Sequence, residues 1–242
     1  MITRRHIRIK VMHHLYAQQT QPDLTNAVLL SNLNKSLDDV HQLFAWDLAA
    51  LLRLRKEAMD QYVRVSGRNV PDEVLLKHIE PFMNLEFFEQ VAQNGPLQTL
   101  IESAHPQWSD YDGHFRNLWT RLSESELYAD FLGSTQTRSQ QKKFLKEVYQ
   151  EYIAENEFLH DIYEDQNAHW ADDLDAAQMM TAKVITSYKG PDERILVPAL
   201  YKDEDDEDFG PLLMRAYASK HSNNQKLVEE RAANWDSDRI AR

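Results

Sequence analysis

Three features of the sequence predict an all-α protein. Apolar residues recur at helical spacing in segment after segment. Leu, Ala, Glu, Gln and Lys dominate those segments, and only 6 glycines and 8 prolines interrupt 242 residues. No stretch alternates valine or isoleucine with polar residues at the two-residue period of a strand. The length suffices for one large domain or two small ones with a genuine core.

The elements follow in order. Thr3 can accept a backbone N–H as the N-cap of a first helix. At 100° per residue, Arg4, Arg8, Val11 and Leu15 fall on one side of it, with Ile7 and Met12 flanking them. Thr20-Gln21-Pro22-Asp23 breaks that helix. Residues 31–65 read as one long helix or a helix pair, striped by Leu37, Val40, Leu43, Phe44, Leu48, Leu51, Leu54 and Ala58. Arg53, Arg55, Lys56 and Arg64 make its far end basic, which suits a helix C-terminus. Ser66-Gly67-Arg68-Asn69 is a loop. Pro71-Asp72-Glu73 opens the next helix, with proline in the first turn and acids near the positive pole. Pro81 ends or kinks it. Residues 85–92 form a short helix stopped at Asn94-Gly95-Pro96. Another reaches Ala104, 106–113 is a loop, and 114–132 is a single helix carrying Phe115, Trp119 and Tyr128. Residues 133–137 are the most linker-like stretch.

From Ser139 the pattern is more regular. Phe144, Leu145, Val148, Tyr149, Tyr152 and Ile153 form one stripe, which Leu159, Ile162 and Tyr163 continue after a break. Trp170 opens a helix through Ile185, Gly190-Pro191 ends it, and 196–201 is a short apolar connection. The acidic run 203–208 solvates a loop and caps a helix containing Leu212, Leu213, Ala216 and Tyr217. Residues 223–234 form another helix. A constant offset pairs Phe144 with Phe209, Tyr152 with Tyr217 and Trp170 with Trp235, predicting a repeated helix–helix–Trp unit. The second copy stops soon after Trp235, so the sequence reads as incomplete at its carboxyl end.

Composition narrows the chemistry. There is no cysteine, so disulfides, thiolate metal sites and cysteine nucleophiles are excluded. No run of about 18 apolar residues suggests a membrane span. Gly-x-Gly-x-x-Gly, Walker and Gly-x-Ser-x-Gly motifs are missing. Glu157-x-x-His160 is half of a di-iron bundle signature and has no second copy. His13 and His14 are adjacent and so point apart on a helix. The acidic run lacks the alternating ligands and central glycine of a calcium loop. The sequence therefore predicts no catalytic site, cofactor or metal. Trp46, Trp108, Trp119, Trp170 and Trp235 read as core anchors. The net charge of −12 opposes generic attraction to nucleic acid, so any such contact must be local.

One locality qualifies. Arg4, Arg5 and Arg8 gather at the positive end of the first helix, where cations are unfavourable unless an anion joins them. The stretch is either the solvated start of a helix buried by Val11, Leu15 and Tyr16, or a phosphate contact. Arg-Arg-x-x-Arg, a six-residue gap, then Leu-Tyr-x-x-Gln resembles the opening helix of the NusB transcription antitermination family, on Arg4, Arg5, Arg8, Leu15, Tyr16 and Gln19. Residues 234–241 resemble the Trp-x-x-x-Arg-Leu/Ile segment before that family's central helix. The resemblance covers residues 1–20 and 139–242, with 21–138 as the inserted helical region of long variants.

The resemblance implies a NusB-like helical bundle in the cytoplasm that is not an enzyme. It implies an RNA-binding transcription antitermination factor, which binds boxA-type ribosomal RNA leader RNA with the ribosomal protein NusE in the RNA polymerase antitermination complex. Arg4, Arg5 and Arg8 match the RNA-contacting head, and Tyr16 matches a tyrosine near RNA and partner. His6 stands where the family often has arginine. The alternatives are a helical protein-interaction scaffold without an RNA role and, further off, a helical-bundle metalloenzyme.

Overall fold

The computed structural model describes residues 1–21, 23–190, 194–219 and 230–231. The described residues are helical throughout, with a single isolated parallel bridge between Ile2 and Tyr201. The helices are α1 (Arg4–Thr20), α2 (Asn26–Ser66), α3 (Glu73–Met83), α4 (Glu86–Ala92) and α5 (Gly95–Ala104). After a 3-10 turn (Trp108–Tyr111) come α6 (Asp112–Ser123), α7 (Glu126–Gly133) and α8 (Arg138–Val148). A π-helical turn (Tyr149–Ala154) follows, then α9 (Glu157–Gln166), α10 (Trp170–Ser187) and α11 (Asp206–Ser219). No helix among the described residues is long and apolar enough to cross a membrane.

Several boundaries move from their sequence expectations for local reasons. The segment read as 31–65 is one uninterrupted helix of 41 residues. Pro71 stays outside α3, because Asp72 is the N-cap and accepts the Leu75 N–H at 3.0 Å. Gly95 and Pro96 start α5 rather than stopping α4, since the Asn94 side chain accepts the Leu97 N–H at 3.2 Å. The loop expected over 106–113 contains the 3-10 turn and the first residues of α6. The single helix expected over 114–132 is two, because Ser125 caps α7 by accepting the Tyr128 N–H. α11 begins inside the acidic run, at Asp206. Of the helix expected over 223–234 only residues 230–231 are described, and both are helical; the Trp235 end of the repeat lies outside the described residues.

The chain divides into two compact units. The larger comprises Met1 and Asp39–Leu200, so residues 133–137 are a connection inside it. Its core is aromatic. Trp46 meets Trp108 and Trp170 edge-on, with ring centroids 5.1 and 5.7 Å apart. Phe82 stacks on Trp119, and Phe131 on Phe144. The indoles are anchored as well as buried: Trp46 donates to the Ala104 carbonyl and Trp108 to that of Trp46. Of the basic residues at the far end of α2, Arg64 stands in the last turn, whereas Arg53 and Arg55 pack. Arg53, only 9% exposed, pairs with buried Glu57 and with Asp112, and Arg55 donates to the Met83 carbonyl. After α10, residues 194–200 are held by hydrogen bonds from Asn94 to the Ile195 carbonyl and between His41 and that of Pro198. Gly190, beyond the end of α10, has φ +125°, and a Cβ there would meet the Arg138 guanidinium.

One acidic residue lies wholly inside this core. Asp47, fully buried on α2, accepts the Tyr149 hydroxyl at 2.6 Å and the Tyr163 hydroxyl at 3.4 Å. Burial pushes its carboxyl up to about 6, against the opposing influence of Thr181, the two tyrosines and His160. The Thr181 hydroxyl faces the carboxylate without meeting hydrogen-bond geometry. Tyr149 stands in the π-turn, whose extra residue per turn shifts the register of the α8 stripe there. His160, the histidine of the Glu-x-x-His, is held by the Ala154 carbonyl.

The smaller unit comprises Ile2–Asp38 and Tyr201–Arg242. Its described helices are α1, the start of α2, and α11. Ile7, Val11, Leu29, Leu33, Leu37 and Met214 are buried between them. Gly210 sets the approach of α11: a Cβ there would lie 2.9 Å from Ile7 Cγ2 and 3.4 Å from Leu33 Cδ2. The branched Ile7 methyl cannot swing aside freely. Gly210→Val is therefore expected to destabilise this unit by about 2 kcal/mol, the usual range for overpacking. Hydrogen exchange should show it as lost amide protection in α1 and α11 with protection in α8–α10 retained. Unchanged α1 protection would mean the contact has slack.

Candidate nucleic-acid interface

The site is built from both ends of the smaller unit. Thr3 is extended (φ −116°, ψ 168°) and starts α1 as its N-cap. The residue three positions on is His6, and its Nδ1 accepts the Thr3 backbone N–H at 3.1 Å, as the glutamate or glutamine of a capping box would. His6 therefore serves the cap, although the resemblance places it where an arginine often stands. Just before α1, Ile2 accepts the Lys202 N–H at 3.1 Å. That bond lays the acidic run alongside the first turns of α1.

The three arginines separate in role. Arg4 pairs through Nε with Asp206 Oδ1 at 2.6 Å, and Asp206 is 2% exposed. That carboxylate holds the Arg4 guanidinium more firmly charged than usual, helped by Asp203 and Asp205. The Phe209 ring lies beneath both Arg4 (5.1 Å) and Arg8 (5.4 Å). Arg5 and Arg8 are exposed, and Arg5 takes no part in these contacts. The acidic run is thus more than a solvated loop and helix cap, because it pairs with the basic head. The sequence could not show this, since Arg4 and Asp206 are 202 positions apart. The available signal was opposite charge in two short runs.

The buried stripe of α1 is Ile7, Lys10 and Val11. Leu15 is half-buried, and Met12 and Tyr16 are 58% and 68% exposed. The expectation that Tyr16 helps bury the helix is therefore corrected: at 100° per residue it lies about 140° round the helix from Val11. Instead Arg8, Met12, Tyr16 and Gln19 share the outward face, and with Leu213 and Tyr217 of α11 they line an open groove of about 380 Å³. Among the described residues, no acidic side chain lines that groove. It can offer two phenol rings, apolar flanks and a guanidinium at one end, the combination on which unstacked bases and phosphates settle.

The four tryptophans among the described residues are 2–4% exposed and contribute to the larger unit's core rather than to this surface. Among the described residues, no group of three or more His, Asp or Glu side chains is arranged to hold a metal ion. No family model, curated protein or solved structure matches the chain.

Proposed function

We propose that the chain is an RNA-binding transcription antitermination factor of NusB type. In this reading it binds boxA-type ribosomal RNA leader RNA together with the ribosomal protein NusE, in the RNA polymerase antitermination complex. The NusB-like bundle, the division into family-like ends around an inserted region, and the absence of catalysis belong to the same proposal. Its main support is the arrangement along α1, where exposed Arg5 and Arg8 lead into a groove that holds exposed Tyr16 and, among the described residues, no acidic side chain. Arginines would position the RNA backbone, and splayed bases would be read in the groove. A partner carrying positive charge would offset the net −12 of this chain, giving a physical reason for joint binding.

A second reading is a protein-interaction scaffold without RNA. The exposure of Met12 and Leu212 (58% each) favours it, since apolar residues on an open face also suit a helical partner. The two readings diverge in a salt series with fluorescent boxA-type RNA, with and without NusE. The RNA reading expects Arg5→Ala/Arg8→Ala to weaken binding about tenfold or more. It also expects the salt slope to fall by about 1.4, from two phosphate contacts to a single strand. If the variant binds with wild-type affinity and slope, the scaffold reading takes over.

A further inference from the structure

We infer that the acidic start of α11 is a built-in competitor for the arginine head, lowering its affinity for RNA until phosphate takes the place of carboxylate. The inference rests on the RNA reading above and adds a means of regulation to the same site.

Three observations carry it. Arg4, the first cation of the head, is already bound to an anion, the nearly buried carboxylate of Asp206 at 2.6 Å. A carboxylate and a phosphate ask the same of a guanidinium, namely a charged acceptor oxygen in its plane. Second, the contact is not a chance meeting of mobile side chains. The acidic run is held on one side by the Lys202 N–H to Ile2 carbonyl bond. It is held on the other by the close fit of Gly210 against Ile7. Third, Phe209 places one aromatic face under Arg4 and Arg8 together, so whatever occupies Arg4 is felt beside Arg8 as well. Exposed Asp203 and Asp205 add negative charge where an incoming phosphate would approach. A modification or partner that drew the run away would raise affinity with no new contact to RNA.

The test uses the full chain and the same fluorescent boxA-type RNA. Asp203→Asn/Asp205→Asn removes two exposed charges and leaves the Asp206 pair in place. It is expected to tighten binding about 3–10-fold at low salt, with the gain shrinking as the Debye length falls. Glu102→Gln/Glu124→Gln, in the larger unit, makes the same change in net charge and is expected to alter affinity less than about twofold. A cycle between Arg4→Ala and Asp206→Asn completes the set, with circular dichroism confirming that each variant is folded. Arg4→Ala should matter little while Asp206 holds the arginine, and should matter clearly once Asp206 is neutral. If wild type binds RNA and neither acidic variant binds more tightly, the competitor is overturned while the RNA reading stands. An equal gain from the control pair also overturns it, since the effect would then be general charge. No RNA binding by wild type or any variant overturns both.

Discussion

Asp47→Asn is expected to stabilise the protein by about 2 kcal/mol at pH 7 and to remove a pH dependence that the wild type carries. The carboxyl of Asp47 lies at about 6 in the folded chain, against 3.8 when free, because burial penalises its charged form. A raised carboxylate means that the native state holds a proton more tightly than the unfolded one. Its stabilising contribution is complete below 3.8, declines as pH rises through the interval to about 6, and is gone above that. At about 1.4 kcal/mol per pH unit, that interval corresponds to about 3 kcal/mol. Asparagine keeps an acceptor for the Tyr149 hydroxyl and has no charge to bury. The measurement is denaturant unfolding of both proteins from pH 3.5 to 8, taken as a difference so that shared titrations cancel. The advantage of the variant should grow across the interval and level off above 6. A difference that is flat throughout would mean that the Asp47 carboxyl titrates alike in the folded and unfolded chains, with no shift from burial.

The second large effect concerns the Arg53–Glu57–Asp112 cluster. Glu57 is 2% exposed and meets Arg53 at 2.5 Å, while Arg53 Nη1 is buried without an acceptor. Glu57→Ala leaves the guanidinium with only exposed Asp112 and is expected to cost about 3 kcal/mol, as for other broken buried pairs. Replacing both partners by methionine, which fills similar volume without charge, should cost less than half of that. Chemical denaturation of Glu57→Ala and of Arg53→Met/Glu57→Met, each against wild type, separates the pairing from the packing. Equal losses in Glu57→Ala and in the double methionine variant would show that the cluster contributes shape alone.

The helices were legible because their apolar period is local information. α2 follows its stripe of leucines closely, and Trp170 does open α10. What the pattern blurred were stops set by single polar caps. Ser125 divides a segment whose apolar period runs straight through it, and Asn94 starts a helix at residues that read as an end. The buried polar groups were less legible still. Asp47 stands between Trp46 and Leu48 in the apolar stripe, and an acid in that position was the only hint of its partners on the π-turn and α9. At the candidate interface, the basic head and Tyr16 could be named from α1 alone, but the exposure of Tyr16 and the groove it shares with Leu213 and Tyr217 could not. The role of Asp206 and Phe209 could not, because it depends on where α11 returns.

That return sets an order of events during synthesis. The smaller unit joins α1 to α11 through a pair 202 positions apart, with most of the larger unit made in between. At about 5–20 residues per second, α1 leaves the ribosome on the order of 10–40 s before its partner helix exists. Throughout that interval Ile7 and Val11 have no α11 to cover them, and Arg4 has no Asp206. The nascent α1 is then a basic amphipathic segment close to ribosomal RNA, with its arginines uncommitted. The newly made and the finished protein therefore present different surfaces from the same residues.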